Sequence, residues 1–111
     1  MEIKKQLIEK LRKWVKETNI IEIDESLNSV KLNWKNGYSF ENKKLERLRD
    51  GTEKEVYIIS FKTKDVVRYY ENGEIDIFIE GMLCFAYFDA ETLDFMYIHK
   101  KAGYIEIDGS Y

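Results

Sequence analysis

Proline is absent from this chain, and cysteine and histidine each occur once among its 111 residues. A lone cysteine, Cys84, excludes an intrachain disulfide and any zinc site built from several thiolates, which fits a reducing compartment. No apolar run approaches the roughly 20 residues that a membrane-spanning helix needs, and the first residues lack the apolar core and cleavage site of a secretory signal. We therefore expect a cytoplasmic protein that does not bind membranes.

The motifs of common enzyme sites are also missing. Cys84 and His99 are the one pair that could supply a thiolate and its imidazole base, but Cys84 lies among apolar neighbours that favour a buried, inert thiol. Asp89, Glu91 and Asp94 lack the alternating ligands and central glycine of a calcium loop. The six glycines form no phosphate-binding loop. We predict no catalytic residue, no metal site and no cofactor.

The composition predicts one domain that spans residues 1–111. Hydrophobic residues make up 44% of the chain and charged residues 35%, a balance that is too apolar for disorder and too charged for a membrane protein. From Glu2 to Thr18, apolar residues recur every three or four positions among lysines, which predicts an amphipathic helix that ends near Asn19. Its apolar stripe comprises Ile3, Leu7, Leu11, Trp14 and Val15.

Two Asn-Gly pairs predict β-hairpins, because this dipeptide favours the tight turns that join antiparallel strands. The first pair is Asn36-Gly37. A three-residue loop that begins at Lys35 would place the neighbouring apolar side chains on one face, whereas a two-residue loop would divide them between two faces, so we favour the longer loop. The resulting face comprises Val30, Leu32, Trp34, Tyr38 and Phe40.

The second pair, Asn72-Gly73, follows the same pattern. A loop of residues 71–73 sets Tyr69 opposite Ile75. The predicted inner face comprises Val67, Tyr69, Ile75, Ile77 and Ile79, and the outer face carries Tyr70, Glu74, Asp76 and Phe78, with Glu80 beyond them. The outer face combines aromatic side chains with carboxylates, which predicts an interface; a solvated surface or a second buried layer is the alternative.

Two other apolar segments predict strands, at residues 55–62 and 82–88. The second is apolar on both sides and therefore belongs in the middle of a sheet. Residues 42–50 lie between the first hairpin and the first of these two strands. They predict a short helix or turn with Leu45 and Leu48 directed inward.

The segment after the second of these strands carries opposing signals. An N-terminal cap at Asp89 and lysines near the end favour a helix over residues 90–101. Alternation of Phe95, Tyr97 and His99 would suit a strand instead. We favour the helix. The chain is thus predicted to be an α+β domain in which the N-terminal helix and one further helix pack on a curved, mainly antiparallel sheet.

Charge is segregated along the sequence. Residues 71–98 contain seven acids and no Lys or Arg, and they carry −7, whereas the rest of the chain carries +4 within the net charge of −3. The acids are Glu71, Glu74, Asp76, Glu80, Asp89, Glu91 and Asp94. A surface of one sign attracts a partner of the opposite sign, so we predict a basic protein partner and no nucleic acid.

A small, acidic, cysteine-poor, single-domain chain with these carboxylates in one block resembles the immunity proteins that neutralise bacterial toxins. The resemblance is one of size, charge and architecture. Members of that group bind a cognate toxin and block its active site or target surface, so the resemblance implies a non-catalytic, protein-binding function in a bacterium. The predicted partner-binding residues are Tyr70, Glu71, Glu74, Asp76, Phe78, Glu80, Asp89, Glu91 and Asp94.

The sequence leaves other functions open. A small enzyme or ligand-binding domain would need a pocket between a helix and a curved sheet. The aromatic residues available to line one are Trp34, Tyr38, Tyr57 and Tyr69. A subunit with exposed strands would instead form a homodimer, so both monomer and homodimer are open. An enclosed pocket with converging ionisable groups would indicate the enzyme, and an exposed acidic face with Tyr70 or Phe78 would indicate the binding protein.

Overall fold

The computed structural model describes residues 2–19, 21–31, 33–100 and 103–106, which form one α-helix and seven β-strands. The helix, α1, is Ile3–Thr18, and the strands are β1 Tyr38–Arg47, β2 Glu53–Lys62, β3 Val66–Tyr69, β4 Ile75–Ile79, β5 Leu83–Asp89, β6 Phe95–Lys100 and β7 Gly103–Ile105. Five strands form an antiparallel sheet in the order β1-β2-β5-β6-β7, and β3 pairs with β4 in a separate two-stranded sheet. The predicted α+β class is confirmed.

Helix α1 packs on the five-stranded sheet through its apolar stripe. Leu7, Leu11 and Trp14 are buried. Asn19 ends the helix as predicted, because asparagine tolerates the left-handed conformation that it adopts there, with φ of 53° and its N–H donating to the carbonyl of Val15. The buried residues that the sheet contributes to this core are Tyr38, Ile59, Phe61, Cys84, Ala86, Phe88, Ile98 and Ile105. No helix of the described residues is long and apolar enough to cross a membrane.

Strand β5 is the central strand of the sheet, as its apolar sequence predicts. Side chains alternate between the two faces of a strand. Cys84, Ala86 and Phe88 are buried on the helix side, and Phe85 and Tyr87 therefore face the other side.

Aromatic rings and the loop between β1 and β2 cover that second face. The rings of Tyr87 and Tyr97 stack with centroids 5.0 Å apart, and Tyr97 meets Tyr104 edge-on at 5.4 Å. Arg49, from the loop, lies over Tyr97 and Tyr104 and forms an ion pair with Glu106. The sheet therefore curves strongly enough for the β1–β2 loop to reach the strand at the opposite edge.

The predicted pairing around Asn36-Gly37 is wrong. Lys35 pairs with Tyr38, so the turn contains two residues rather than three. The preceding segment forms a second short turn, in which Ser29 and Trp34 exchange backbone hydrogen bonds of 2.9 and 2.8 Å. The Asn-Gly signal is local, so it located the turn but not the strand that pairs with the residues after it.

Strand β1 pairs with β2 instead, with Tyr38 opposite Phe61. The apolar face predicted for the first hairpin does not form: Val30 is fully exposed, and Leu32 lies outside the described residues. The pairing with β2 prevails because it places Tyr38 in the core beneath α1, where it is buried.

Residues 42–50 continue β1 and enter the loop to β2, so the predicted short helix or turn is wrong over most of its length. Leu45 is exposed and Leu48 is only partly buried, although both were predicted to point inward. Acidic and basic side chains dominate this edge strand, which discourages further strand pairing at the edge of the sheet.

The predicted second helix near residues 90–101 is also wrong, and the strand alternative is confirmed by β6. Asp89 is a cap as predicted, but of a single turn: its carboxylate accepts hydrogen bonds from the backbone N–H groups of Glu91 and Thr92 at 2.8 and 3.3 Å. At Leu93 the backbone takes a φ of 63°, which ends the turn. Pairing with the central strand β5 then outweighs the helix signals, because it completes the buried sheet.

Candidate functional site

The hairpin of β3 and β4, which with its flanking residues 65–81 we call the arm, exposes large apolar side chains. Tyr69, Tyr70, Ile75 and Phe78 are each between 56% and 63% exposed. The molecule measures 52 × 33 × 24 Å, and its radius of gyration of 15.3 Å exceeds the value of about 13 Å expected for a compact domain of this length. These dimensions fit a hairpin that projects from a compact body.

The turn at the tip of the arm is the predicted one. Tyr69 lies opposite Ile75, and the backbone N–H of Tyr70 donates to the carbonyl of Glu74 at 2.8 Å, so residues 71–73 form the loop. Gly73 has a φ of 90°, a conformation that glycine adopts without steric cost.

A β-bulge changes which side chains share a face of the arm. Asp76 is the extra residue of this bulge. Beyond it, Phe78 lies opposite Val67, the position that was predicted for Ile77. Phe78 therefore shares a face with Tyr69, and the predicted inner and outer faces are wrong in this half of the hairpin.

We define the apolar face of the arm by Val67, Tyr69, Ile75 and Phe78. The predicted inner face was expected to be buried, yet Tyr69 and Ile75 are more than half exposed. Val67 and Ile77 are partly buried, and the bulge places Ile77 on the other face. The side chain of Ile79, also predicted to be buried there, lies outside the described part. Isolated two-stranded sheets are marginally stable in water, and a cluster of exposed apolar side chains is typical of a surface that a partner covers.

We define the polar face of the arm by Arg68, Tyr70, Glu74 and Asp76. Tyr70 and Glu74 are opposite one another, and Asp76 and Ile77, the two residues of the bulge, lie opposite Arg68. Ile77 is on this face too, but it is partly buried. The arm as a whole contains five acids and one basic residue. Four of the acids, Glu71, Glu74, Asp76 and Glu80, are exposed and form no ion pair within the described part of the chain.

The structure brings together six of the nine predicted partner-binding residues on the arm and separates them from the other three. Asp89 is the last residue of β5, and Glu91 and Asp94 follow it, so the seven-residue strand places them roughly 20 Å from the root of the arm. Asp89 is buried, and the ammonium of Lys54 lies 2.6 Å from its carboxylate, a contact that lowers the pKa of Asp89. Asp89 thus acts within the fold, through its ion pair and its cap.

The root of the arm is held by side chains that no sequence motif identifies. The carboxylate of Asp65 accepts a hydrogen bond from the backbone N–H of Gly81 at 2.7 Å, and the hydroxyl of Thr63 accepts one from that of Met82 at 2.9 Å. A Cβ atom at Gly81 would collide with the carbonyl oxygen of Thr63. The body therefore fixes the direction of the arm, whereas the tip is exposed.

The residues considered for catalysis do not converge. Phe85 lies opposite His99 and Cys84 opposite Lys100, so the thiol and the imidazole point to opposite faces of the sheet. Burial raises the pKa of Cys84 to about 11, which keeps the thiol protonated at neutral pH. No group of three or more His, Cys, Asp or Glu residues in the described part is placed to hold a metal ion.

The aromatic residues proposed to line a pocket are also dispersed. Tyr38 is buried in the core beneath α1, whereas Tyr69 is exposed on the arm. A groove of about 610 Å³ lies beside the root of the arm, lined by residues that include Leu83, Phe85 and His99. It is open to solvent, and sequence reasoning missed it because its walls come from separate strands.

Comparison of the chain with models of known protein families gave no match, and comparisons with curated proteins and with solved structures gave none either. The function therefore has to be argued from the residues of this chain.

Proposed function

We propose that this protein is a non-catalytic binding protein that uses the arm to hold a basic protein. More specifically, we propose that it is a bacterial immunity protein that neutralises a cognate toxin. One observation carries the proposal: a hairpin that projects from the body exposes both large apolar side chains and carboxylates that form no ion pair with any described residue.

The apolar side chains supply affinity. Aromatic side chains such as Tyr69, Tyr70 and Phe78 are typical anchors of protein interfaces, because they bury a large area with few rotatable bonds. Each is more than half exposed, so a partner would remove much of its surface from water. Burial of apolar area contributes about 25 cal/mol per Å² before the costs of association are subtracted.

The carboxylates supply selectivity for a basic partner. Exposed charges mainly raise the rate of association and exclude partners of the same sign, and salt screens them. Two copies of the arm would bring their acids together, which disfavours a homodimer held through the arms. A basic partner is therefore favoured over a second copy of this chain.

The proposal is tested by charge reversal at two sites with the same change in net charge. Glu74→Lys/Asp76→Lys alters the arm, and Glu91→Lys/Asp94→Lys alters exposed acids roughly 20 Å from its root. Proteins that wild type retains from a host lysate are identified and purified, and their Kd values are measured against all three forms. We expect the arm variant to bind about tenfold or more weakly, the control within about twofold, and both to melt like wild type.

Equal weakening by both variants would show that net charge alone controls binding, and binding that neither variant affects would show that the arm is not the site. If the purified partner is toxic to cells, co-expression supplies a second readout. Wild type and the Glu91→Lys/Asp94→Lys control should restore growth, and the arm variant should not.

A further inference from the structure

We infer that the arm inserts into a cleft of its partner, with an apolar wall against the apolar face of the arm and a cationic wall against its polar face. This inference rests on the proposed function and adds the shape and chemistry of the partner's site. A flat partner surface would leave one of the two faces in water.

The two faces of the arm differ in chemistry and are both exposed. Tyr69, Ile75 and Phe78 project from one side, and the other side carries Glu74 and Asp76. The bulge moves Phe78 onto the apolar side, and it moves Ile77, which is partly buried, to the side of Arg68 and Asp76. The exposed residues of that second side are therefore polar or charged, apart from the ring of Tyr70. Each wall of the cleft must therefore match one face only.

The dimensions of the arm favour enclosure over contact through one face. A strand of five residues spans about 17 Å, and a two-stranded ribbon is about 10 Å wide, so one face has a flat footprint on the order of 200 Å². Tyr69, Ile75 and Phe78, which are 57% to 63% exposed, raise the accessible surface of that face to roughly 350 Å². Stable interfaces bury about 800 Å² on each partner. A partner that surrounds both faces and both edges would reach roughly 700 Å² on the arm alone.

The same estimate argues against a second copy that packs on the apolar face. Such a sandwich would bury only roughly 350 Å² on each copy, less than half of what a stable dimer needs. The charge of the arm also disfavours such a dimer, because the acids of both copies would be gathered on its rim.

The hydrogen bonds at the root prepare the arm for insertion. Asp65 and Thr63 hold Gly81 and Met82 in place, and the tip is closed by the Asn72-Gly73 turn. A hairpin whose direction is already fixed loses less conformational entropy on binding than a mobile loop does.

The edges of the arm are poor templates for strand addition. In β4 the bulge at Asp76 interrupts the regular spacing of backbone donors and acceptors, and β3 has only four residues, which include the cation Arg68. The apolar side chains lie on a face of the ribbon. A wall of the partner that covers this face therefore buries more apolar surface than a strand added at the edge would bury.

The test adds two probes to the 111-residue chain. Hexalysine probes the polar face, and the uncharged detergent dodecyl maltoside, below its micelle concentration, probes the apolar face. Amide shifts in NMR spectra report both. We expect hexalysine to shift Tyr70, Glu74 and Asp76, and the detergent to shift Tyr69 and Phe78, with no competition when both are present. Glu74→Lys/Asp76→Lys should remove only the shifts that hexalysine causes. Phe78→Ser should remove only the shifts that the detergent causes.

Matched controls are Glu91→Lys/Asp94→Lys for charge and Leu45→Ser for an exposed apolar residue elsewhere; both should retain the two sets of shifts. Competition between the probes would overturn the two-sided arrangement, and so would a stable dimer that Phe78→Ser dissolves. A purified partner whose affinity falls with Glu74→Lys/Asp76→Lys but not with Phe78→Ser would overturn the cleft while the proposed function stands. Loss of affinity with both variants supports the cleft.

Discussion

At the scale of single residues, Gly37 couples the first turn to the loop before it. Its φ is +90°, and a Cβ atom there would lie 2.5 Å from the Cα of Glu25 and 2.6 Å from the carbonyl oxygen of Asp24. Gly51, in the β1–β2 loop, has a similar φ of +89° but nothing within 4 Å of the same position. The two glycines therefore separate the cost of the backbone conformation from the cost of a collision.

We expect Gly51→Ala to lower the free energy of unfolding by about 1 kcal/mol, the cost of a left-handed conformation for an L residue. Gly37→Ala should lower it by about 3 kcal/mol, because the backbone of residues 24 and 25 must also move. Urea denaturation of both variants measures the difference. Equal losses would show that the segment around Glu25 yields without cost and that Gly37 is kept for its φ alone.

At the scale of elements, the arm and the five-stranded sheet differ in how they are supported. Strand β5 has a neighbour on each side and the helix above it, whereas β3 and β4 pair only with each other within the described residues. Local opening requires little loss of contacts where an element has few buried neighbours.

We therefore expect amide hydrogens that pair β3 with β4 to exchange about 100-fold faster than those of Ala86 and Ile59, a difference of about 2.7 kcal/mol in opening free energy. Hydrogen exchange followed by NMR measures this. Strand β1 is the control, because it is also an edge but is paired with the body. Exchange of the arm at the rate of β5 would show that the arm and the body open as one unit, contrary to the description of a free-standing hairpin.

Elements also differ in how well the sequence predicts them. The stripe that includes Leu7 and Leu11 predicts α1 correctly, because its periodicity extends over about four turns and one packing surface satisfies it. The bulge at Asp76 is not predictable from the apolar pattern, since residues 75–79 suit the regular register as well as the shifted one. The sequence therefore predicts the hairpin and its turn correctly, but it assigns Phe78 to the wrong face.

At the scale of the whole molecule, acid should weaken the attachment of α1 to the body. The carboxylate of Glu25 accepts hydrogen bonds from the guanidinium of Arg12 at 2.9 and 3.1 Å and from the hydroxyl of Tyr38 at 2.7 Å. These contacts, that with Arg12 foremost, lower the pKa of Glu25 below its ordinary value. A lowered folded-state pKa contributes stability above the unfolded-state value, and this contribution is lost as pH falls through the folded-state value.

Glu25→Gln should therefore lower Tm at pH 7, and the difference from wild type should shrink as pH falls below the ordinary glutamate pKa of about 4.3 and through the lower folded-state pKa of Glu25. Thermal unfolding followed by circular dichroism at pH 7 and at pH 3 measures both differences. A Tm difference that stays constant across this range would show that the charge of Glu25 contributes nothing and that only its shape matters.

The sequence by itself determined the amphipathic helix, the central position of the apolar strand β5, the location of both Asn-Gly turns and the concentration of acids in residues 71–98, because each of these is a property of neighbouring residues. Tertiary structure decided the rest. Strand β1 pairs with β2, and the segment after Asp89 becomes a strand, because long-range pairing beneath α1 buries more apolar surface than the local alternatives do. The division of the acids between the arm and the far end of β5 follows from that sheet, since two groups adjacent in sequence are held apart by the length of a strand.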